Sequence, residues 1–195
     1  NKRAKELGCT DTHFNNCNGL PDEKHVTTAY DMALISSAAY KNDTFRKITG
    51  TATYTIPPTN KHKEPTYLSN HHKILHYYET GKYINEYCTG GKTGFTKVAN
   101  STLVTYAEKD GITICVVVMN ANSPKHWTDT NKLIDYAFSN FKTYNISDNE
   151  SSLKADSNKK VGILNNHKSF VTLDESAYII LPNSAEFEDA QFERN

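Results

Sequence analysis

The sequence predicts an α/β (α+β) fold in which an antiparallel sheet is covered by helices and followed by a small β-rich module. Three features carry this reading. The apolar run Ile112 to Met119 follows Lys109-Asp110-Gly111, and an Asp-Gly turn beside apolar segments is a strong hairpin signal that implies antiparallel pairing. A helical stretch from about Trp127 to Phe141 offers Leu133, Ile134, Tyr136, Ala137 and Phe138 to cover such a sheet. Between Asn145 and Lys160 large apolar residues almost vanish and Ser, Asp, Asn and Lys dominate, the composition of a linker.

Asn1 to Gly8 reads as the end of a helix, with Ala4 and Leu7 on one face and Gly8 suited to the left-handed position after the last turn. No cap or first turn precedes it, so the fold is expected to be incomplete at its N-terminus. A loop rich in Asn, Asp, Gly and Pro runs from Thr10 to Lys24, and Thr27-Thr28 then caps a helix from Ala29 to Tyr40. Its residues Met32, Leu34, Ile35, Ala38 and Ala39 form a broad apolar face. Thr51 to Ile56 alternates like a strand and stops at Pro57-Pro58. Residues 59 to 87 read as loops with short helical pieces. Strands follow at Lys92 to Val98, Leu103 to Ala107 and Ile112 to Met119. The last, nearly all apolar, is expected to be buried on both faces. Beyond the linker, Val161 to Leu164 and Tyr178 to Pro182 read as short strands.

Lysine plus arginine and aspartate plus glutamate number 22 each. No global field therefore favours nucleic acid or an anionic surface, and any charge selectivity is local. No apolar run approaches the roughly 20 residues of a membrane helix, and no N-terminal stretch has the pattern of a signal peptide. Cys9, Cys17, Cys88 and Cys115 lack the paired spacing of a zinc site. Cys115, inside an apolar run, reads as a buried small hydrophobe, while spacing leaves a local Cys9–Cys17 disulfide open. His71, His72 and His76 lack a Glu-x-x-His helix context and read as polar surface residues. No metal or other cofactor is expected.

The segment richest in chemistry is Gly90-Gly91-Lys92-Thr93-Gly94-Phe95-Thr96, on a strand that opens a hairpin. Lys92 supplies a positive charge, Thr93 a hydroxyl that can hydrogen-bond a carboxylate, and Gly94 a backbone that a ligand can approach without a Cβ in the way. An extended peptide could lie along such a strand as an added strand. A Lys-Thr-Gly tripeptide alone is weak, but it does not stand alone. Leu7 to Leu20, His25 to Ala33, and Trp127 to Thr130 with Leu133, Ile134, Tyr136 and Phe138 surround it in order and spacing. Together these residues resemble the low-molecular-weight D-alanyl-D-alanine carboxypeptidases, serine peptidases whose third motif is Lys-Thr-Gly.

The resemblance implies a penicillin-binding, β-lactamase-like fold. Residues 1–143 would be the C-terminal part of the catalytic domain, 144–160 a linker, and 161–195 the start of a C-terminal β-rich domain. It implies Lys92 as a catalytic residue, and Thr93, Gly94, Phe95, Thr96 and His126 as substrate-binding residues. Phe95 would aim its amide at the developing oxyanion, where such a donor is worth about 10²- to 10³-fold. The implied reaction is acyl transfer from the penultimate D-Ala of a peptidoglycan stem peptide to a serine and then to water. The implied partners are the stem peptide, β-lactam antibiotics and an N-terminal segment of the same protein, in an extracytoplasmic and membrane-associated location. A β-lactamase of the same fold and a catalytically silent wall-binding homologue are the alternatives.

Two departures stand out. The family's Ser-x-x-Lys and Ser-x-Asn motifs belong upstream of the stretches matched here. The Ser-x-x-Lys matches present, Ser139 with Lys142, Ser151 with Lys154 and Ser157 with Lys160, all follow Lys-Thr-Gly and read as coincidences. The nucleophile is therefore expected upstream of this chain, which alone is expected to be inactive. The second departure is His126, which stands where the family usually has a carboxylate-binding Arg; an imidazole cannot form the two-pronged fork of a guanidinium. Either Lys125 substitutes, or carboxylate binding is weaker. The competing reading is that His126 is an exposed residue at the start of its helix.

Overall fold

The computed structural model describes residues 1–77, 80–149 and 177–190. They fall into two compact units, Asn1–Ala137 and Phe138–Asn195. Helix α1 (Lys2–Glu6) ends as the sequence suggests, Gly8 taking φ 90° beyond its last turn. The loop after it is tied to α2 (Ala29–Tyr40) by Asp31, whose buried carboxylate accepts from the Asp11 amide at 2.9 Å and the Thr12 hydroxyl at 2.6 Å. The Thr12 hydroxyl, followed by backbone amides, holds this carboxyl below its usual range against the opposing effect of burial. Thr28 is the N-cap of α2, its side chain accepting from the Asp31 amide at 3.1 Å. A helix that the residue pattern left unmarked, α3 (Asp43–Gly50), follows at once behind the cap Asn42.

The strand expected at Thr51 to Ile56 is β1 (Thr53–Ile56), and it pairs with β2 (Thr66–Ser69) inside the stretch read as loop. Both strands are exposed throughout, so the alternation of Tyr54 and Ile56 with Thr53 and Thr55 marks a strand but not a buried face. The main sheet is an antiparallel meander of β3 (Cys88–Thr96), β4 (Asn100–Lys109) and β5 (Ile112–Ala121), in that order. Asp110 and Gly111 both take positive φ, 49° and 81°, as a two-residue hairpin turn requires.

The core lies on β4, and here the sequence expectation is corrected. Ser101, Leu103, Thr105, Tyr106 and Ala107 of the central strand are buried, while on β5 only Ile112 and Val116 are. An all-apolar run is buried on both faces only when a layer packs on each face of the sheet, and Ile114, Cys115, Val117, Val118 and Met119 of β5 are only half-buried. Tyr106 is the hub. Its ring stacks on Tyr40 of α2 at 4.1 Å, its hydroxyl donates to the Ser36 carbonyl at 3.0 Å, and burial pushes the phenol up to about 12.

Helix α4 (Lys125–Asn140) buries Trp127, Thr130 and Ile134, one stripe at i, i+3 and i+7. Of the apolar residues expected to cover the sheet, Ile134 is buried, but Leu133 and Tyr136 are exposed. In the second unit β6 (Phe141–Asn145) pairs with β7 (Tyr178–Pro182), the strand expected there. Lys142 reaches Glu186 at 3.2 Å, and a short helix α5 (Ile146–Asn149) follows β6. The strand expected at Val161 to Leu164, and the linker beyond residue 149, lie outside the described residues. All four cysteines are free thiols, Cys9 and Cys88 buried, Cys115 half-buried and Cys17 exposed.

Candidate active site

The site is built on β3, which is hydrogen-bonded to β4 on one side only, so its other edge is open among the described residues. The register sets Lys92 opposite Val104, Thr93 opposite Leu103, Gly94 opposite Thr102 and Phe95 opposite Ser101. Preceding this open part, Gly90 and Gly91 let neighbours close on the strand. A Cβ on Gly90 would come within 3.0 Å of the Gly50 amide at the end of α3. One on Gly91 would run into the Val104 carbonyl and sit 2.5 Å from Nε2 of His72.

His72 is therefore not the surface residue that its polarity suggested. It is fully buried, its Nε2 lying 2.9 Å from Oγ1 of Thr105 and 3.3 Å from the Val104 carbonyl. Burial drives its pKa down to about 4. Its loop is framed by Asn70, whose Nδ2 donates to the Thr51 carbonyl at 3.1 Å and whose Oδ1 accepts from the His72 amide at 3.0 Å. His76 Nε2 lies 2.6 Å from the Asn70 carbonyl. Lys73 thus sits between two buried side chains, His72 and Ile74, on a loop fixed to the sheet.

Two openings flank β3. The larger, about 730 Å³, is lined by Lys92 through Thr96, with Met32 of α2 and Val117 and Met119 of β5 among its walls. Lys92 is exposed there, its Nζ donating to the Thr93 carbonyl at 2.5 Å. The smaller, about 480 Å³, brings Thr93, Gly94 and Phe95 together with His126, Trp127 and Lys73. Of the residues expected to bind substrate, Thr93, Gly94, Phe95 and His126 meet in this pocket, whereas Lys92 and Thr96 line only the larger one. Gly94 has a second, internal reason to lack a side chain, because a Cβ would stand 2.5 Å from Oγ1 of Thr102.

His126 is 6% exposed, which overturns the reading of an exposed residue at the helix start. Its ring lies 4.3 Å from that of Trp127. Burial, and then the charge of Lys73, lower its pKa, so the imidazole is neutral near pH 7. Its Nδ1 is one of three buried side-chain polar atoms without a hydrogen-bond partner among the described residues, with His72 Nδ1 and Thr130 Oγ1. Sequence reasoning missed Lys73, and no local signal marks it, because its place depends on the Gly91–His72 contact. His25 packs its ring 5.4 Å from Phe14 and accepts from the Asn15 amide at 3.1 Å, a loop-packing role. Ser139 occupies the last turn of α4, its carbonyl accepting from Asn183 at 2.7 Å; Ser151 and Ser157 lie outside the described residues.

A family model described as D-alanyl-D-alanine carboxypeptidase matches residues 1–123. The chain belongs to the D-alanyl-D-alanine carboxypeptidase family. It is 34% identical over 146 residues to the D-alanyl-D-alanine carboxypeptidase DacF of Bacillus subtilis, covering 74% of this chain and 35% of that protein. Identity to the D-alanyl-D-alanine carboxypeptidase DacB2 of Mycobacterium tuberculosis is 29% over 144 residues, covering 71% and 46%. The solved DD-transpeptidase of a Streptomyces strain superposes with a TM-score of 0.63 at 29% identity, over 71% of this chain and 52% of that one. The crystal structure of a D-alanyl-D-alanine carboxypeptidase from Mycobacterium tuberculosis does so at 0.60 and 28%, over 71% and 51%. The chain spans about a third to a half of the length of the curated relatives it matches. The penicillin-binding type of fold, α/β with an antiparallel sheet and helices, is thereby shown for the part of the chain that these structures cover.

Proposed function

We propose that this chain contributes the Lys-Thr-Gly strand and the carboxylate pocket to a serine-type D-Ala-D-Ala carboxypeptidase acting on peptidoglycan stem peptides outside the cytoplasm. The observation that carries the reading is Lys92-Thr93-Gly94 on an open sheet edge, with Thr93 and His126 lining one pocket and Lys92 lining a larger one. In this reading the stem peptide lies along β3 as an added strand, held by main-chain hydrogen bonds. The Phe95 amide donates to the developing oxyanion.

The nucleophilic serine comes from residues outside 1–195. Its oxygen forms an ester with the penultimate D-Ala carbonyl carbon, the C–N bond to the terminal D-Ala breaks, and the departing nitrogen takes up a proton. Water then cleaves the ester, returning the proton to the serine and leaving the shortened peptide as a carboxylate. Lys92 holds a positive charge beside the reacting groups, and Thr93 hydrogen-bonds the terminal carboxylate. A β-lactam opens on the same serine and leaves an acyl-enzyme.

Residues 1–143 belong to the catalytic domain in this reading, 144–160 to a linker and 161–195 to a β-rich domain. Among the described residues no helix is long and apolar enough to cross a membrane, and membrane association is assigned to segments outside this chain. Labelling with fluorescent penicillin tests the proposal. The full-length protein should be acylated on a serine outside residues 1–195, residues 1–195 alone should remain unlabelled, and Lys92→Ala should sharply reduce the full-length signal. Acylation of Ser139, Ser151 or Ser157 in the isolated chain would overturn it.

A further inference from the structure

The pocket beside Thr93 has a cation that sequence matching does not select. Among the described residues its lining contains no Asp or Glu; it contains Lys73, the hydroxyl-bearing Thr93, Ser101 and Ser123, and the imidazoles of His71 and the buried His126. A pocket with an ammonium and several hydroxyls suits an organic anion. His126 is more than nine-tenths buried and directs no charge at the pocket, yet its Nδ1 has no partner among the described residues. Lys125, the substitute that sequence order suggests, is exposed and is not among the residues lining this pocket.

Lys73 is placed by construction. The Gly91 backbone admits the His72 ring beneath the sheet, His72 is held at Thr105, and Asn70 clamps the chain before it. The next side chain is thereby delivered to the pocket that Thr93 and His126 share. A lysine on a loop anchored by buried neighbours on both sides loses less freedom on binding than one on a mobile surface segment.

We propose that Lys73, not residue 126, supplies the positive charge that recognises the C-terminal carboxylate of the substrate, with Thr93 and the His126 imidazole as neutral hydrogen-bonding partners. The assignment rests on the acyl-D-Ala-D-Ala reading above and makes Lys73 a specificity-determining residue. It is a point charge where a guanidinium fork would bind with two prongs, so the site should favour a carboxylate over a neutral terminus without strict demands on its orientation.

The test compares binding of diacetyl-L-lysyl-D-alanyl-D-alanine with the same peptide amidated at its C-terminus, read by NMR titration of the full-length protein. In the unmodified protein the carboxylate form should bind about 10- to 100-fold more tightly. Lys73→Gln should bring the two within about threefold, Lys73→Arg should restore the preference, and Lys125→Gln should leave it intact. Discrimination unchanged in Lys73→Gln, or absent from the unmodified protein, overturns the assignment. Fluorescent penicillin labelling is scored on the same samples. Labelling with no dependence of discrimination on Lys73 sinks this inference alone. Lys73-dependent discrimination with no acylated serine sinks the carboxypeptidase reading and leaves the anion site standing.

Discussion

Nε2 of His72 lies 2.9 Å from Oγ1 of Thr105 in a space that exists because residue 91 is glycine. This contact docks the 70–76 loop against the centre of the sheet, and with it Lys73 against the Thr93 pocket. Its consequences are measurable in stability as well as in binding.

His72 makes the fold acid-sensitive. Its pKa falls from 6.5 to about 4 on burial, so the unfolded chain binds more protons than the native one between those values. The stability this neutral imidazole confers is complete above pH 6.5 and is lost as pH falls through about 4, a change of about 3 kcal/mol. Urea unfolding at pH 7 and pH 4 should show this loss, and His72→Gln should remove most of the pH dependence in that window. An equal slope in both proteins would assign the acid sensitivity to other groups.

Gly91 and Gly94 should differ on substitution by alanine. At Gly91 the new Cβ meets the Val104 carbonyl and the buried His72 ring, neither free to move, so a loss of about 3 kcal/mol or more is expected. At Gly94 it meets only Oγ1 of Thr102, a hydroxyl that can rotate away, and about 1 kcal/mol is expected. Thermal melting of the two variants side by side should rank them in that order.

Thiol chemistry should single out Cys17. It is exposed, whereas burial pushes the Cys88 and Cys115 thiols up to about 11 and Cys9 is buried with a raised pKa of its own. Iodoacetamide at pH 7.5 should modify one cysteine of the native protein and all four in denaturant, because the thiolate is the reactive form. Rapid native labelling of Cys88 would show that the base of β3 opens readily.

An arginine at position 126 should help most when Lys73 is gone. His126→Arg in a Lys73→Gln protein is expected to recover about tenfold in kcat/KM on a carboxylate-terminated peptide, by a charge-assisted fork worth roughly 1–3 kcal/mol. With Lys73 present the gain should be smaller, since two cations then share one pocket. Full-length enzyme kinetics on the four proteins decide it, and an equal gain in both backgrounds would show that the two positions do not interact.

Local chemistry alone marked the hairpin, the capped α2, the strand carrying Lys92-Thr93-Gly94 and the family these residues resemble. Asp-Gly needs only its own φ preferences, Thr28 only a nearby amide, and a motif only its order along the chain. The alternation of β1 was legible, but its exposed partner β2 stayed hidden because nothing in its composition records a partner strand, and β5 looked more buried than it is because apolarity does not say whether a layer covers each face. The placing of His72, Lys73 and His126 belonged to the tertiary structure. Whether a histidine is a charged surface group or a neutral buried one depends on desolvation by chain distant in sequence, and only the close approach that Gly91 permits brings Lys73 to the pocket of Thr93.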